Sequence, residues 1–172
     1  NYHPVLCFAF RNAQVNYAGA RWVNQTLPAH LYQTTMGGFN WDNIRSAAGD
    51  IVDMAISPTN GHLFYAVHLA GMVRTPDDIT YTNVNAGLTS YDLSCLTINT
   101  RGQLFLGTSD AGVYRSTNNG ATWTQVNAGL GSTVVHDIVV NELFVLFAAT
   151  DAGVFRSVNN GASWTPLHGG LT

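Results

Sequence analysis

The 172-residue chain contains no lysine and only one glutamate, Glu142. Its charge rests on seven arginines and nine aspartates, which leave a formal net charge of −3. Charged residues make up 10% of the chain, against roughly 25% in an average soluble domain. A nucleic-acid binder needs a row of cations to meet phosphates. No such stripe can be assembled here, and nucleic acid is excluded as a partner. Cysteine is equally scarce: Cys7 and Cys95 are too few for a disulfide scaffold. No apolar run approaches the roughly 18 residues of a membrane-spanning helix; the longest, Leu143 to Ala149, is strand-sized. Helical periodicity of useful length is missing throughout.

What is present is a large apolar fraction, 46%, enough for a core and too much for disorder. Asn, Thr, Ser and Gly must then carry the surface, a composition that fits an extracellular or cell-surface protein.

The sequence also repeats itself, and repeats decide the fold. Gly107-Thr-Ser-Asp-Ala-Gly-Val-Tyr-Arg-Ser-Thr-Asn-Asn-Gly-Ala-Thr-Trp123 recurs as Ala149-Thr-Asp-Ala-Gly-Val-Phe-Arg-Ser-Val-Asn-Asn-Gly-Ala-Ser-Trp164. Upstream, Arg74-Thr-Pro-Asp-Asp-Ile-Thr-Tyr81 is the same segment with the Gly of the turn deleted, and Gln33-Thr-Thr-Met-Gly-Gly-Phe-Asn-Trp41 is a looser copy. Val84-Asn-Ala-Gly-Leu88 and Val126-Asn-Ala-Gly-Leu130 repeat the tail of the unit, with Leu167-His-Gly-Gly-Leu171 as a variant. The period is about 41 residues, in four units near 4–48, 49–89, 90–131 and 132–172. Each unit reads as four short strands. In the third they are 93–99, 104–108, 113–116 and 122–126, separated by the hairpin signals Thr100-Arg-Gly102, Asp110-Ala-Gly112 and Asn118-Asn-Gly120. A repeated four-stranded antiparallel meander of this length is the blade of an all-β propeller. Trp41, Tyr81, Trp123 and Trp164 then recur at one place per blade, where a large ring fills the gap between neighbouring sheets.

Ser116-Thr-Asn-Asn-Gly-Ala-Thr-Trp123 and Ser157-Val-Asn-Asn-Gly-Ala-Ser-Trp164 resemble the Asp-box, or BNR repeat, whose pattern is Ser-x-Asp-x-Gly-x-x-Trp. That family includes sialidases, xyloglucan-degrading glycosidases, sortilin-type receptors, photosystem II assembly factors and secreted bacterial propellers. The resemblance implies that the box lies between the third and fourth strands of a blade and builds it. Ser116, Asn118, Gly120, Trp123, Ser157, Asn159, Gly161 and Trp164 are therefore expected to be structural. Asn118 and Asn159 stand where the family has Asp, and Asn can also close an Asx-type turn. Because propellers of this kind usually have six or more blades, four units in phase with both chain ends suggest part of a longer ring. A compact four-bladed ring and half of an assembled ring are the alternatives.

Several residues invite a chemical reading. Asp110 and Asp151 stand in Asp-Ala-Gly steps, similar to the Thr-Asp-x-Gly-Gly context of a catalytic Asp in xyloglucan-degrading propellers. Their recurrence is better explained by a hairpin before Gly, and catalysis by Asp110 or Asp151 is kept as the alternative. Arg74, Arg115 and Arg156 are periodic too, and we expect them to cover blade edges or pair with neighbouring Asp. They are not the convergent Arg triad of a sialidase, and with one Glu the chain offers no Tyr–Glu nucleophile pair. Among residues that do not repeat, Asp53, Asp92, Ser94, His136 and Asp137 fall on or beside the inner strands and are expected to line the central channel, with His136-Asp137 as a candidate acid–base or metal pair. The remaining histidines have no metal-ligand spacing, so no metal or cofactor is expected. Cys7 and Cys95 are read as free, buried thiols on nonadjacent units.

One departure from the repeat is large. The first unit carries an insertion from Arg21 to His30, with Trp22 as the only Trp outside the box position. An aromatic on an irregular loop is a candidate contact for a sugar or a protein, so Trp22, Arg21 and His30 are the expected binding residues. Asn24-Gln-Thr26 within it also fits a glycosylation acceptor. The expected function is a non-catalytic extracellular binding or scaffold module contacting glycan or protein, held by further blades, its own copies or a larger complex. A fragment of a xyloglucanase-like glycosidase and an assembly-factor role are the alternatives.

Overall fold

The computed structural model describes residues 5–21 and 28–167. It folds each sequence unit into one four-stranded antiparallel sheet whose strands follow chain order. The first blade comprises β1 (Val5–Phe10), β2 (Asn16–Ala20), β3 (Ala29–Thr34) and β4 (Asp42–Ala47). The second comprises β5 (Ile51–Ile56), β6 (Leu63–Val67), β7 (Gly71–Thr75) and β8 (Thr82–Asn83). The third has β9 (Leu93–Ile98), β10 (Leu104–Thr108), β11 (Val113–Ser116) and β12 (Thr124–Gln125), and the fourth β13 (Val135–Val140), β14 (Leu146–Thr150), β15 (Gly153–Ser157) and β16 (Thr165–Pro166). Hairpins close where the sequence supplies residues tolerant of left-handed backbone. Asn119 and Asn160 take φ of 61° and 57°, each followed by a Gly at about 80°.

Each sheet has two apolar faces because its strands alternate at a period of two. On β6, Leu63, Tyr65 and Val67, with Ile51 of the neighbouring β5, pack back against Leu31 and Tyr17 of the first blade. Phe64 and Ala66 on the same strand pack forward against Leu104, Leu106 and Trp123 of the third blade. Phe105 repeats that forward contact, meeting Leu146, Phe155 and Trp164 of the fourth. Phe64 and Phe105 are fully buried, and burial of a Phe side chain is worth roughly 1.5 to 3 kcal/mol. The molecule therefore has no single centre. Its core is three apolar layers, one at each junction between consecutive blades.

The innermost strands touch in sequence, β1 on β5, β5 on β9 and β9 on β13. No comparable contact joins β13 to β1 among the described residues, so the described blades form an open arc. The outer ends of the arc show it directly. β6 and β10 are buried at every residue, whereas the forward-facing residues of β14, Phe147 and Ala149, are only half-buried.

Candidate functional site

The box hairpins are hydrogen-bonded turns that reach across blade junctions. The Ser116 hydroxyl accepts from the Gly120 amide at 3.0 Å and donates to Asn118 Oδ1 at 2.9 Å, and Asn118 Oδ1 accepts from the Thr122 amide at 2.9 Å. Ser157, Gly161, Asn159 and Ser163 repeat the arrangement. Asn thus performs the turn-closing task with its one side-chain oxygen. The indole of Trp123 donates to the Val84 carbonyl at 2.7 Å, and that of Trp164 to the Val126 carbonyl at 2.8 Å. Both rings are nearly closed to solvent, at 4% and 3% exposed. The periodic arginines work in the opposite direction. Arg74 donates to the Asn119 carbonyl at 3.0 Å and Arg115 to the Asn160 carbonyl at 2.9 Å. Of the two expectations, covering blade edges or pairing with Asp, these two do not pair with Asp: they bind backbone of the next blade, because the left-handed turn residue aims its carbonyl at them. Arg156, the same position in the fourth blade, is exposed.

The junction between the first two blades is built differently. Gln33 stands at the arginine position, and Asp78, at φ 62°, at the turn position. The Asp78 carboxylate accepts from Arg11 at 2.8 Å, Tyr17 at 2.7 Å and Gln33 at 2.8 Å. Burial and the facing Asp78 charge together push the Tyr17 phenol well above its ordinary range. Asp77 holds the box carboxylate position, and amide donors from Thr80 and Ile79 keep it below the usual Asp value.

A polar rim forms at the edge where inner strands begin and second strands end. Backbone bonds from His68 to Asp50, Ser109 to Asp92 and Asp151 to Val134 tie these positions together in the second, third and fourth blades. Three side-chain pairs lie along it. Arg21 meets Asp50 at 3.3 Å and His68 meets Asp92 at 3.2 Å, each pair spanning two blades. His136 meets Asp151 at 2.6 Å within the fourth blade, and both are 60% exposed. The candidate His136–Asp137 pair is not formed: the inner strand carries a bulge between Val135 and Asp137, and the Asp137 carboxylate accepts from the adjacent Ile138 amide at 2.8 Å. The partner of Asp151 is a histidine and not a second carboxylate, while Asp110 is an exposed turn residue. The Arg21–Asp50 and His68–Asp92 pairs were missed from sequence. Aligning the residues that follow each second strand, Arg21, His68, Ser109 and Asp151, would have revealed them.

The channel residues divide. Cys7, Asp53, Cys95 and Asp137 occupy one position on successive inner strands. Asp53 bridges blades, since its carboxylate accepts from Leu96 at 2.7 Å and from Met54 at 2.8 Å. Burial raises its pKa against those bonds, and the nearby Asp137 charge adds to the rise. Ser94 lies half-buried, with its hydroxyl toward Cys95 at 3.8 Å. Both cysteines are free, and burial pushes each thiol up to about 12. Of the insertion, Trp22 lies outside the described residues. His30 belongs to β3 and not to the loop. Its ring lies 2.9 Å from Asn43 and edge-on to Tyr32. Among the described residues no cluster of three His, Cys, Asp or Glu could hold a metal.

Four consecutive meanders packed face to face around an inner row of strands define blades of a β-propeller. Solved structures agree on the fold. Over 94% of its length the chain is similar to the GH74 xyloglucanase from Xanthomonas campestris, with 12% identity and a TM-score of 0.77, covering 30% of that chain. It is similar to YCF48 bound to D1 peptide over 95% of its length, with 15% identity and a TM-score of 0.65, covering 55% of that chain. The extracellular domain of a two-component-system protein from B. thetaiotaomicron matches at 14% identity and a TM-score of 0.72, over 95% of this chain and 22% of that one. The chain thus spans less than two thirds of each. No family model and no curated protein matches it.

Proposed function

We propose that the chain is a non-catalytic extracellular binding module of Asp-box type whose polar rim holds a hydroxyl- and amide-rich ligand, a glycan or a peptide. The observation that carries this reading is the row Arg21–Asp50, His68–Asp92 and His136–Asp151 on one edge of the arc. Blade-building residues repeat from unit to unit; these do not, yet the fold gathers them. Exposed acid–base pairs of this kind offer both donors and acceptors to a polar partner. Trp22, the residue after the rim residue Arg21 in the sequence, is the aromatic candidate for contact with the same ligand. Extracellular placement is supported by the lysine-poor, Asn/Thr-rich surface and by the extracellular domain among the structural neighbours.

A glycan array and a peptide array, read together with a reducing-sugar assay, test the proposal. Binding without sugar release is expected, with His136→Ala weakening it by roughly 1 to 3 kcal/mol, as for an interface anchor, and leaving the melting temperature unchanged. A second reading draws on the xyloglucanase among the neighbours: part of a larger glycosidase using Asp110 or Asp151. Sugar release that disappears in Asp151→Asn or Asp110→Asn would establish that reading instead. Selection of a peptide alone would favour an assembly role, as for the neighbour solved with a peptide.

A further inference from the structure

At the two later blade junctions the tail of one blade is locked onto the ring of the next. The Trp123 and Trp164 amides donate to the Ala86 and Ala128 carbonyls, both at 2.8 Å. Gly87 and Gly129 follow, so close to the Trp123 and Trp164 carbonyls that a Cβ could not fit. Asn85 and Asn127 hold each tail to its own blade, their Oδ1 atoms accepting from the Met72 and Val113 amides at 2.7 Å.

The junction between the first and second blades departs from this pattern. Counted from the box ring, the first unit has Arg45 in place of that Asn and Ala47 in place of that Gly. The Ala47 Cβ forbids the same close approach, and β4 stays paired with β3 as far as Ala47. The ring of the second blade is Tyr81, whose hydroxyl donates to the Asp78 carbonyl of its own turn at 2.9 Å and not across the junction. Tyr65 fills the strand position held by Ala18, Leu106 and Ala148 in the other blades. A cavity of about 190 Å³ results, lined by Arg45, Ala47 and Tyr65 and walled by Val67, Ala70 and Val73. It has room for several waters or a small organic ion.

Its two strongest polar groups are both donors. Tyr65 is 1% exposed, and its hydroxyl has no hydrogen-bond partner, which is costly for a buried polar group. The nearby Arg45 charge favours the phenolate, but burial outweighs it and pushes the phenol above its ordinary range. The hydroxyl therefore keeps its proton at neutral pH, and arginine has no acceptor to receive it. Arg45 stacks on the Tyr81 ring, 4.2 Å from the centroid. Among the described residues it has no carboxylate within ion-pair distance. Stacking fixes the guanidinium plane and leaves its edge for a bidentate acceptor.

We propose that this cavity binds a small monocarboxylate, with Arg45 donating to both of its oxygens and the Tyr65 hydroxyl donating to one. One cation matches one negative charge, whereas a dianion would press an uncompensated charge against the apolar walls. A neutral amide of the same shape forfeits the charge-assisted bonds. The site lies inside a junction between two blades of this chain, and it is independent of the ligand at the rim.

Titration of the isotope-labelled chain with sodium acetate, at an ionic strength held constant with chloride and followed by amide NMR, tests it. Saturable shifts confined to the amides around the cavity are expected. Arg45→Gln should weaken acetate binding roughly tenfold or more, and Tyr65→Phe roughly threefold to tenfold. Both variants should keep the dispersed spectrum of the folded chain, Tyr65→Phe above all, since it removes only an unpaired hydroxyl. Acetamide and sulfate should each bind roughly tenfold more weakly than acetate. Shifts that grow without saturation, or an affinity unchanged in either variant, overturn the site. Sulfate or acetamide binding as tightly as acetate overturns the assignment of a monocarboxylate.

Discussion

Trp41 and Trp123 occupy the same step of the same motif, yet one is 36% exposed and the other 4%. The difference does not lie in their own hairpins, since Thr34 accepts from the Gly38 amide at 3.0 Å much as Ser116 accepts from Gly120. It lies in the neighbour. Trp123 has a blade in front of it, with Phe64 and Val84 to pack on and a carbonyl for its indole; Trp41 has none. Motif and environment are therefore separable in this fold. The box makes a turn by itself, but it stabilises the molecule only through the adjoining blade, as expected where repeats are coupled to nearest neighbours.

The largest effects should follow that division. Trp123→Ala and Trp164→Ala are each expected to lose about 3 to 5 kcal/mol in denaturant unfolding, because a buried ring leaves a cavity between sheets. Arg115→Ala should lose roughly 1.5 to 3 kcal/mol through its charged bond to the Asn160 carbonyl, whereas Arg156→Ala, at an exposed position, should cost next to nothing. Equal losses for the two arginines would break the comparison. Asn118→Ala removes one turn bond and should cost about 1 kcal/mol.

Asp53 sharpens the comparison through pH. Its folded pKa is raised, chiefly by burial, so the protonated form is the one favoured by folding. That contribution is complete below the ordinary Asp value, near pH 4, and is lost as pH rises through the raised folded value. Asp53→Asn should therefore flatten the dependence of stability on pH above about 4, measured as urea midpoints across a pH series. A slope unchanged by the substitution would remove Asp53 as its source.

The blades were legible because repetition multiplies a weak signal. Hairpin residues such as Asn118-Asn-Gly120, period-two strands and a recurring Trp all point to one unit, and the observed β9 to β12 follow the expected strands within a residue or two. Less was legible wherever the outcome depends on which residue faces which across a junction. The arginines were expected to cover blade edges or pair with Asp, and Arg74 and Arg115 found carbonyls across the junction, since turn geometry aims those oxygens. His136 and Asp137 were expected in the channel, with their pairing a candidate, but a bulge turns the two apart and Asp151, just past the neighbouring strand, meets His136. His30 was read as the end of the insertion, while strand pairing with Ser46 draws it into β3. The Arg21–Asp50 and His68–Asp92 rim pairs join residues 29 and 24 positions apart in different units, a relation that no local pattern encodes.

The central claim is that each box ring owes its stabilising effect to the blade before it. Its most direct test is equilibrium unfolding of Trp41→Ala beside Trp123→Ala. The account predicts a loss below about 1 kcal/mol for Trp41→Ala, as for surface positions, and about 3 to 5 kcal/mol for Trp123→Ala. Equal losses at the two positions would contradict it, placing the stabilising effect of the ring inside its own hairpin.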